Sequence, residues 1–195
     1  MIVKGHDFPN VTFVGVISAD TSLHFPDFRS SERTFQLLTQ VAGRAGRGET
    51  VGEVVIQTFN PDHYSILRAK DHDFPGFYKE ELPFRDALDY PPFSRLINFR
   101  VVGNNEKRTK AVAEEMGQIG QSLLKKGYPK GIDLLGPSTA PFSKMKGKFR
   151  WQMLAKGKNS HLLHQFAKEL SNRLDDRIRE QGVSLDIDVD PVFIL

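Results

Sequence analysis

The apolar residues near the start of the chain form two continuous runs on either side of one periodic segment. The runs at 11–17 (VTFVGVI) and 52–59 (GEVVIQTF) are rich in β-branched and aromatic residues, which is typical of strands buried on both faces in a parallel sheet. Between them, Ser30 or Ser31 is expected to cap a helix. The apolar face of that helix consists of Phe35, Leu38, Ala42 and Ala45. Strand, helix and strand in this order predict a right-handed βαβ unit.

The next segment, 63–94, has a helical pattern without strand alternation. It contains the stretches HYSILRAK and FYKEELPFRDAL and closes with YPPF, where two prolines stop any helix. We therefore interpret it as a helical connector that ends near Ser94.

From Arg95 onward the period changes to an alternation of strands and long amphipathic helices. The pattern predicts strands at 95–103, 131–137, 148–156 and 183–191, with helices at 105–126 and 160–181. This βαββαβ order is that of a ferredoxin-like α+β sandwich. The chain is accordingly expected to combine an α/β part at 1–62, a connector at 63–94 and an α+β domain at 95–195.

Composition narrows the class of protein and its partners. The chain has 195 residues and no cysteine, which excludes disulfides and thiolate metal sites within it. No apolar run reaches the roughly 18–20 residues of a membrane span. Residues 95–195 hold 18 Lys and Arg against 11 Asp and Glu, so this part favours a polyanionic partner.

The stretch QVAGRAGRG at 40–48 places arginine and glycine at helical spacing. On a helix, Gln40, Arg44 and Arg47 share one face, and Gly43 and Gly46 lie beside it. Each helical glycine costs about 1 kcal/mol relative to alanine, so two of them next to two arginines suggest a close approach by a ligand or another backbone. Paired guanidinium groups suit phosphate oxygens. The alternative is a solvated arginine face at a helix C-terminus, which the helix dipole also favours.

These residues also carry a family resemblance. QVAGRAGR resembles motif VI of superfamily 2 helicases, and KGHDFPNVTFVGVISAD resembles motif V. Together with YPPF, LLGPSTAP, KFRWQ and DIDVDP, the chain resembles the PriA family of replication-restart helicases along essentially its whole length. The resemblance implies a partial RecA-like lobe followed by the ferredoxin-like domain, and hence a C-terminal fragment that begins inside the second helicase lobe.

The resemblance implies ATP and Mg²⁺ as cofactors of a longer parent protein, with Arg44 and Arg47 as its catalytic arginines. Gln40, Gly43 and Gly46 would support the same ATP site. No GxxxxGK[ST] loop occurs in the chain, so the fragment alone is expected to bind no cofactor and to be inactive as an ATPase. The zinc region of the family is also absent from this chain, and we expect no metal site in it.

By the same resemblance, residues 4–7 belong to motif V, which couples the ATP cleft to the DNA strand. Gly5 and Asp7 would support the ATP site, and Lys4 and His6 would contact the DNA backbone. The alternative for His6 and Asp7 is a loop hydrogen bond that precedes a strand.

The densest basic stretch lies at 125–158, with nine Lys and Arg and one acid, Asp133. If KMKGKFRW is extended, Phe149 and Trp151 point to one side of it and a row of cations to the other. Those cations are Lys144, Lys146, Lys148 and Arg150. Such a row would bind phosphates without regard to sequence, and Trp151 would stack on a base. The alternatives are that the aromatic residues belong to the core and that the aspartates of 186–190 neutralise some of the lysines.

The expected function is therefore that of the C-terminal portion of a 3′→5′ DNA helicase that restarts replication forks and nucleates primosome assembly. The resemblance implies forked or single-stranded DNA, single-strand DNA-binding protein and primosome proteins as partners. It also implies a bacterial cytoplasmic, nucleoid-associated location without membrane contact. Two alternatives remain open: a protein-recruitment module that does not bind DNA, and an independent nucleotide hydrolase, against which the missing phosphate loop argues.

Overall fold

The computed structural model describes residues 11–43, 45, 52–127 and 130–194. The chain divides into two compact units, Met1–Phe84 and Arg85–Leu195.

The first unit contains the predicted parallel strand pair. Strand β1 (Phe13–Val16) pairs with β2 (Glu53–Ile56) in parallel, with Phe13 opposite Glu53. The short helix α1 (Asp20–Leu23) and the longer α2 (Ser30–Ala42) lie between them in sequence. The parallel pairing is thus confirmed, although both strands are shorter than the apolar runs that predicted them.

The expectation that these strands are buried on both faces is wrong for the described residues. Val16 and Ile56 pack against the core cluster that includes α2, whereas Phe13 and Val55 on the opposite face are 59% and 46% exposed. One helix layer covers one side of a two-stranded sheet, so alternate side chains along each strand stay accessible.

The start of α2 also differs from its prediction. Its N-cap is Arg29, and no side chain makes a capping hydrogen bond there, so neither Ser30 nor Ser31 is the cap. The buried carboxylate of Asp27 instead accepts the Arg29 amide at 2.9 Å and pairs with the Arg33 guanidinium at 2.8 Å. An acidic side chain just before the helix thereby organises its first turn.

The helices that follow β2 supply part of the first unit's core. They are α3 (Tyr64–Lys70) and α4 (Phe74–Ala87). Phe35 of α2 stacks on Phe77 of α4 with ring centroids 4.6 Å apart, and Leu38 and Ile66 are buried in the same cluster. Helices are therefore present where the connector was predicted, and they pack against α2.

The second unit has the predicted βαββαβ order and forms one antiparallel four-stranded sheet. The order across the sheet is β4-β5-β3-β6. The elements are β3 (Arg95–Gly103), α5 (Glu106–Lys125), β4 (Ile132–Met145), β5 (Lys148–Gly157), α6 (Ser160–Gln181) and β6 (Val183–Val189).

Capping residues set the ends of the two helices, and alternate residues of the strands form the core beneath them. Asn105 and Asn159 cap α5 and α6 by accepting the backbone amides three residues on, and Gly182 in the left-handed region ends α6. Phe99 of β3 meets Phe166 of α6 edge to face at 6.3 Å. The helices thus cover one face of the sheet, where alternate strand residues are buried.

Candidate nucleic-acid interface

The predicted basic row lies on a β-hairpin rather than on one extended strand. Chain reversal occurs at Lys146 and Gly147, whose φ angles are +50° and +80°, and Met145 pairs with Lys148 across the turn. Positive φ at both central residues is the mark of a two-residue turn that matches strand twist, and glycine adopts it readily. The assumption that KMKGKFRW is one extended segment therefore does not hold, because its two halves belong to β4 and β5.

The hairpin register redistributes the four predicted cations. Lys144 lies opposite Phe149, and its Nζ is 4.7 Å from the centroid of that ring, so Lys144 shares the aromatic side. Lys146 is in the turn, and Lys148 is exposed at the start of β5. Three exposed lysines therefore surround the hairpin tip instead of following one strand face.

Arg150, the fourth predicted cation, is 7% exposed. Burial lowers the pKa of its guanidinium, and the nearby positive charge of Arg100 lowers it further, while Asp186 partly opposes both effects. A buried arginine cannot contribute to the hairpin surface in the way that the sequence pattern predicts.

Trp151 lies on the helix-covered side of the sheet. It is partly buried and packs against the main core cluster, and the Lys110 Nζ of α5 is 5.8 Å from its ring centroid. This placement agrees with the core alternative for the aromatic residues. A contact between Trp151 and a nucleobase stays a prediction.

The aspartates of the last strand do not neutralise the hairpin lysines. In the sheet order β4-β5-β3-β6, β6 pairs with β3, and β5 and β3 separate it from β4. Asp190 forms an ion pair with Arg95 at 3.2 Å. Among the described residues, no carboxylate lies within 4 Å of the three exposed hairpin lysines. Those lysines are Lys144, Lys146 and Lys148.

The two lysines at the other end of β5 interact with nearby residues of the second unit. Lys156 Nζ donates to the Leu88 carbonyl oxygen at 2.7 Å, and Lys158 pairs with Asp89 at 3.4 Å. The excess positive charge that the sequence predicts is therefore concentrated at the hairpin tip rather than at both ends of the strand.

Two of the residues predicted to support an ATP site are described. Gln40 is exposed near the end of α2, and Gly43 is its exposed C-cap with φ −69°. A Cβ added at Gly43 would meet the Thr39 carbonyl oxygen at 3.6 Å, an ordinary van der Waals contact. The other predicted residues of the ATP site and motif V lie outside the described residues: Lys4, Gly5, His6, Asp7, Arg44, Gly46 and Arg47.

Asp20, at the carboxyl end of β1, ties the two strands of the first unit together. Its buried carboxylate accepts hydrogen bonds from the Phe59 amide, the Thr58 hydroxyl and the Asn60 side chain at 2.9–3.0 Å. Burial acts to raise the pKa of Asp20, but these hydrogen bonds outweigh it and lower the pKa from 3.8 to about 2. Asp20 therefore holds the loop that follows β2.

No group of three or more His, Cys, Asp or Glu in the described part of the chain is placed to hold a metal ion. His161 Nε2 instead lies 2.8 Å from Gln165 Nε2 on α6. None of the helices in the described ranges is both long enough and apolar enough to cross a membrane.

Comparison with known proteins identifies the family. The family model for the primosomal protein N C-terminal domain matches residues 86–192. Replication restart protein PriA of Bacillus subtilis is 42% identical over all of this chain and 24% of its own length. The PriA proteins of Synechocystis and Treponema pallidum are 42% and 40% identical over all of this chain, which covers 22% and 29% of them.

The chain thus spans about a quarter of the length of these curated relatives. A solved structure, the de novo designed protein Foldit4, has a TM-score of 0.38 and 6% identity over 51% of this chain and 99% of its own, too low to bear on the fold. Because the family model matches more than half of the residues, the chain belongs to the primosomal protein N C-terminal domain family, and it resembles PriA replication restart proteins along its whole length.

Proposed function

We propose that this chain is the C-terminal portion of an ATP-dependent 3′→5′ DNA helicase that acts in replication restart. Its first unit would be part of the second RecA-like lobe, and its second unit a ferredoxin-like domain that binds DNA through the β4–β5 hairpin. The strand order β4-β5-β3-β6 and the βαββαβ sequence of elements support the ferredoxin-like assignment. Restart activity implies a cytoplasmic, nucleoid-associated protein in a bacterium.

The observation that carries the DNA-binding proposal is the charge at the hairpin tip. Three exposed lysines surround one turn, and no carboxylate among the described residues lies within 4 Å of them. Ammonium groups on a protruding turn can contact successive phosphates, which yields affinity that falls steeply with salt and ignores sequence. Forked and single-stranded DNA both present such a backbone.

Fluorescence anisotropy with a labelled fork at several salt concentrations tests this proposal. The triple variant Lys144→Gln, Lys146→Gln, Lys148→Gln should reduce the slope of log affinity against log salt by about 2–3, since each lost phosphate contact contributes about 0.7–0.9. The matched control replaces Lys125, Lys126 and Lys168, which are exposed on α5 and α6 or just beyond α5. Equal slopes for the two triple variants would refute a hairpin interface.

We also propose that the end of α2 supplies half of an ATP site in the longer protein, through Arg44 and Arg47 with support from Gln40, Gly43 and Gly46. Gln40 and Gly43 are both exposed, so these two residues are accessible to a phosphate. When bound with Mg²⁺, ATP supplies the phosphoryl group. The two arginines would neutralise its oxygens.

ATP hydrolysis by the longer protein tests the arginines. Arg44→Ala or Arg47→Ala should lower the turnover number by about 10³–10⁵, the range measured for arginine fingers. Lys70→Ala, an exposed cation at the end of α3, is the matched control and should leave turnover unchanged. Wild-type turnover in both arginine variants would contradict the proposal.

A second candidate function, recruitment of primosome proteins or single-strand DNA-binding protein, is favoured by the composition of the sheet face opposite the helices. The central strands place Asn98, Arg100, Arg150 and Gln152 there, so this face lacks the aromatic residues on which many four-stranded sheets stack bases. A pull-down that persists at high salt, with no measurable DNA affinity, would support recruitment over DNA binding.

A further inference from the structure

His63 caps the start of α3 with its imidazole ring. Its backbone is extended, with φ −65° and ψ 129°, and its Nδ1 accepts the backbone amide of Ser65 at 3.2 Å. Ser65 Oγ lies 2.7 Å from the same nitrogen. The usual capping residues accept through side-chain oxygens, which keep their lone pairs near neutral pH. A ring nitrogen accepts only while it carries no proton.

The two contacts determine which nitrogen of the neutral ring carries the proton. A nitrogen that accepts from an amide holds a lone pair, so the proton is on Nε2 and the Ser65 hydroxyl donates to Nδ1. A proton added to Nδ1 affects the two Ser65 groups differently. The hydroxyl can turn and accept, whereas the amide can only donate. Because Ser65 is 0% exposed, its amide would lose its acceptor away from water, which is unfavourable.

The surroundings of the ring also favour its neutral form. His63 is partly buried and stacks on Tyr64 with ring centroids 4.5 Å apart. Burial lowers the pKa of His63 below its usual value of 6.5, and the charge of Glu81 on α4 partly opposes this effect. Glu81 is buried and accepts the Tyr64 hydroxyl at 2.5 Å. From α2, the residues of this cluster are the apolar Phe35 and Leu38.

The cap lies between an anchored loop and the core of the first unit. The His63 amide donates to the Asn60 carbonyl oxygen at 3.1 Å, and the Asn60 side chain donates to Asp20. On the other side of the cap, Tyr64 stacks on Phe77 of α4 with ring centroids 5.8 Å apart. A change at the cap therefore affects both the loop that follows β2 and the packing of α3 on α4.

We infer that His63 is a pH-sensitive cap, whose neutral ring holds the first turn of α3 and whose protonation at Nδ1 releases that turn. Because the folded form favours the neutral ring, the stabilising contribution of His63 is present above pH 6.5. It is lost as the pH falls below 6.5 and through the lower pKa of the folded form. The loss begins at a higher pH than that of the Asp20 contribution, which begins below 3.8.

Nuclear magnetic resonance of the 195-residue chain from about pH 8 to about pH 5 tests this cap. The ring signals of His63 should titrate with a midpoint below 6.5. The protection factor of the Ser65 amide corrects hydrogen exchange for its intrinsic pH dependence. It should fall about tenfold for each unit by which that midpoint lies below 6.5. A protection factor that stays constant through the titration of His63 would refute the cap.

Two asparagine variants separate the cap from a general effect of acid. His63→Asn keeps a side-chain acceptor that does not titrate, so the protection of the Ser65 amide should vary by less than about twofold over the same range. His72→Asn makes the same change just after α3, at an exposed residue with φ 52°, which asparagine tolerates. It should retain the wild-type response. A wild-type pH response in His63→Asn would overturn the inference.

A third variant tests whether one proton controls both signals. Glu81→Gln keeps an acceptor for the Tyr64 hydroxyl and removes the charge that raises the pKa of His63. The ring of His63 should then titrate at a lower pH than in the wild type, and the Ser65 amide should lose protection at that same lower pH. A loss of protection that does not move with the ring titration would contradict the cap.

Discussion

The two units of the chain each bury a charged side chain, but they surround it in opposite ways. In the first unit, Asp20 receives hydrogen bonds from three neighbouring residues, and its pKa falls to about 2. In the second unit, Arg150 is buried beside the like charge of Arg100, and its pKa is lowered. Hydrogen bonds from the chain stabilise the charged form of a buried group, whereas burial beside a like charge disfavours it.

The hydrophobic cores of the two units also differ. The first unit depends on a small cluster around Phe35, Leu38 and Phe77, and one face of its two-stranded sheet exposes apolar side chains. The second closes a continuous core around Phe99 and Phe166 between its helices and sheet. We therefore expect the second unit to carry most of the chain's cooperative stability.

The largest effect should come from the centre of that core. Phe166→Ala should destabilise the second unit by about 3–5 kcal/mol, because it leaves a cavity at a fully buried site, and total stabilities are only about 5–15 kcal/mol. Trp151, the single tryptophan of the chain, packs against this cluster and reports its unfolding in urea by fluorescence.

Two controls sharpen the contrast. Leu135→Ala, at a site that is 42% exposed, should cost less than about 1 kcal/mol. Phe35→Ala should leave the Trp151 transition in place, because the two apolar clusters share no residue. A Phe35→Ala variant whose Trp151 transition shifts as far as that of Phe166→Ala would show that the two units unfold together.

Acid should loosen the first unit through Asp20. Because the folded pKa of Asp20 is about 2 and its usual value is 3.8, its contribution is present above about pH 4 and is lost as pH falls from about 4 to about 2. Asp20→Asn should remove this dependence and speed hydrogen exchange at the Phe59 amide, which donates to the carboxylate. Asp62→Asn, at an exposed position of the nearby loop, is the control. It should retain the pH dependence and the slow exchange of the Phe59 amide.

Replacing the glycine of the hairpin turn by alanine should cost more stability than the same replacement at the end of α2. Gly147 has φ +80°, and an added Cβ there meets nothing within 4 Å, so Gly147→Ala should cost about 1–2 kcal/mol through backbone conformation alone. Gly43 has φ −69°, and Gly43→Ala should stay within about 0.5 kcal/mol. Urea midpoints followed by Trp151 fluorescence and by circular dichroism compare the two, and equal costs would contradict this account.

Sequence patterns predict the helices and strands of the second unit better than they predict the turn that carries its exposed lysines. The predicted strand at 95–103 and the predicted helices at 105–126 and 160–181 agree with β3, α5 and α6 to within a residue, because the patterns that predict them are local. The turn at Lys146 and Gly147 is missed because lysine is not a typical residue at positive φ, and a single glycine is a weaker turn signal than Asn-Gly.

The contacts that the sequence does not predict are those between residues far apart in the chain. Arg100 and Arg150 become neighbours only through the register of two strands separated by a helix and a third strand, and the donors to Asp20 lie 38–40 residues further along the chain. A single sequence shows periodicity within an element, but it does not show which residues face each other across elements.

The smallest expected effect separates the stability of the hairpin from its proposed function. Lys146 has φ +50° before Gly147, and Asn-Gly is the preferred pair for such a turn, so Lys146→Asn should stabilise the second unit by a few tenths of a kcal/mol. The same change removes one cation, so the salt slope of fork binding should fall by about 0.7–0.9. Lys148→Asn, with the same charge loss on a strand, should lower the slope equally and reduce stability. A Lys146→Asn variant with higher stability and an unchanged salt slope would show that Lys146 does not contact a phosphate.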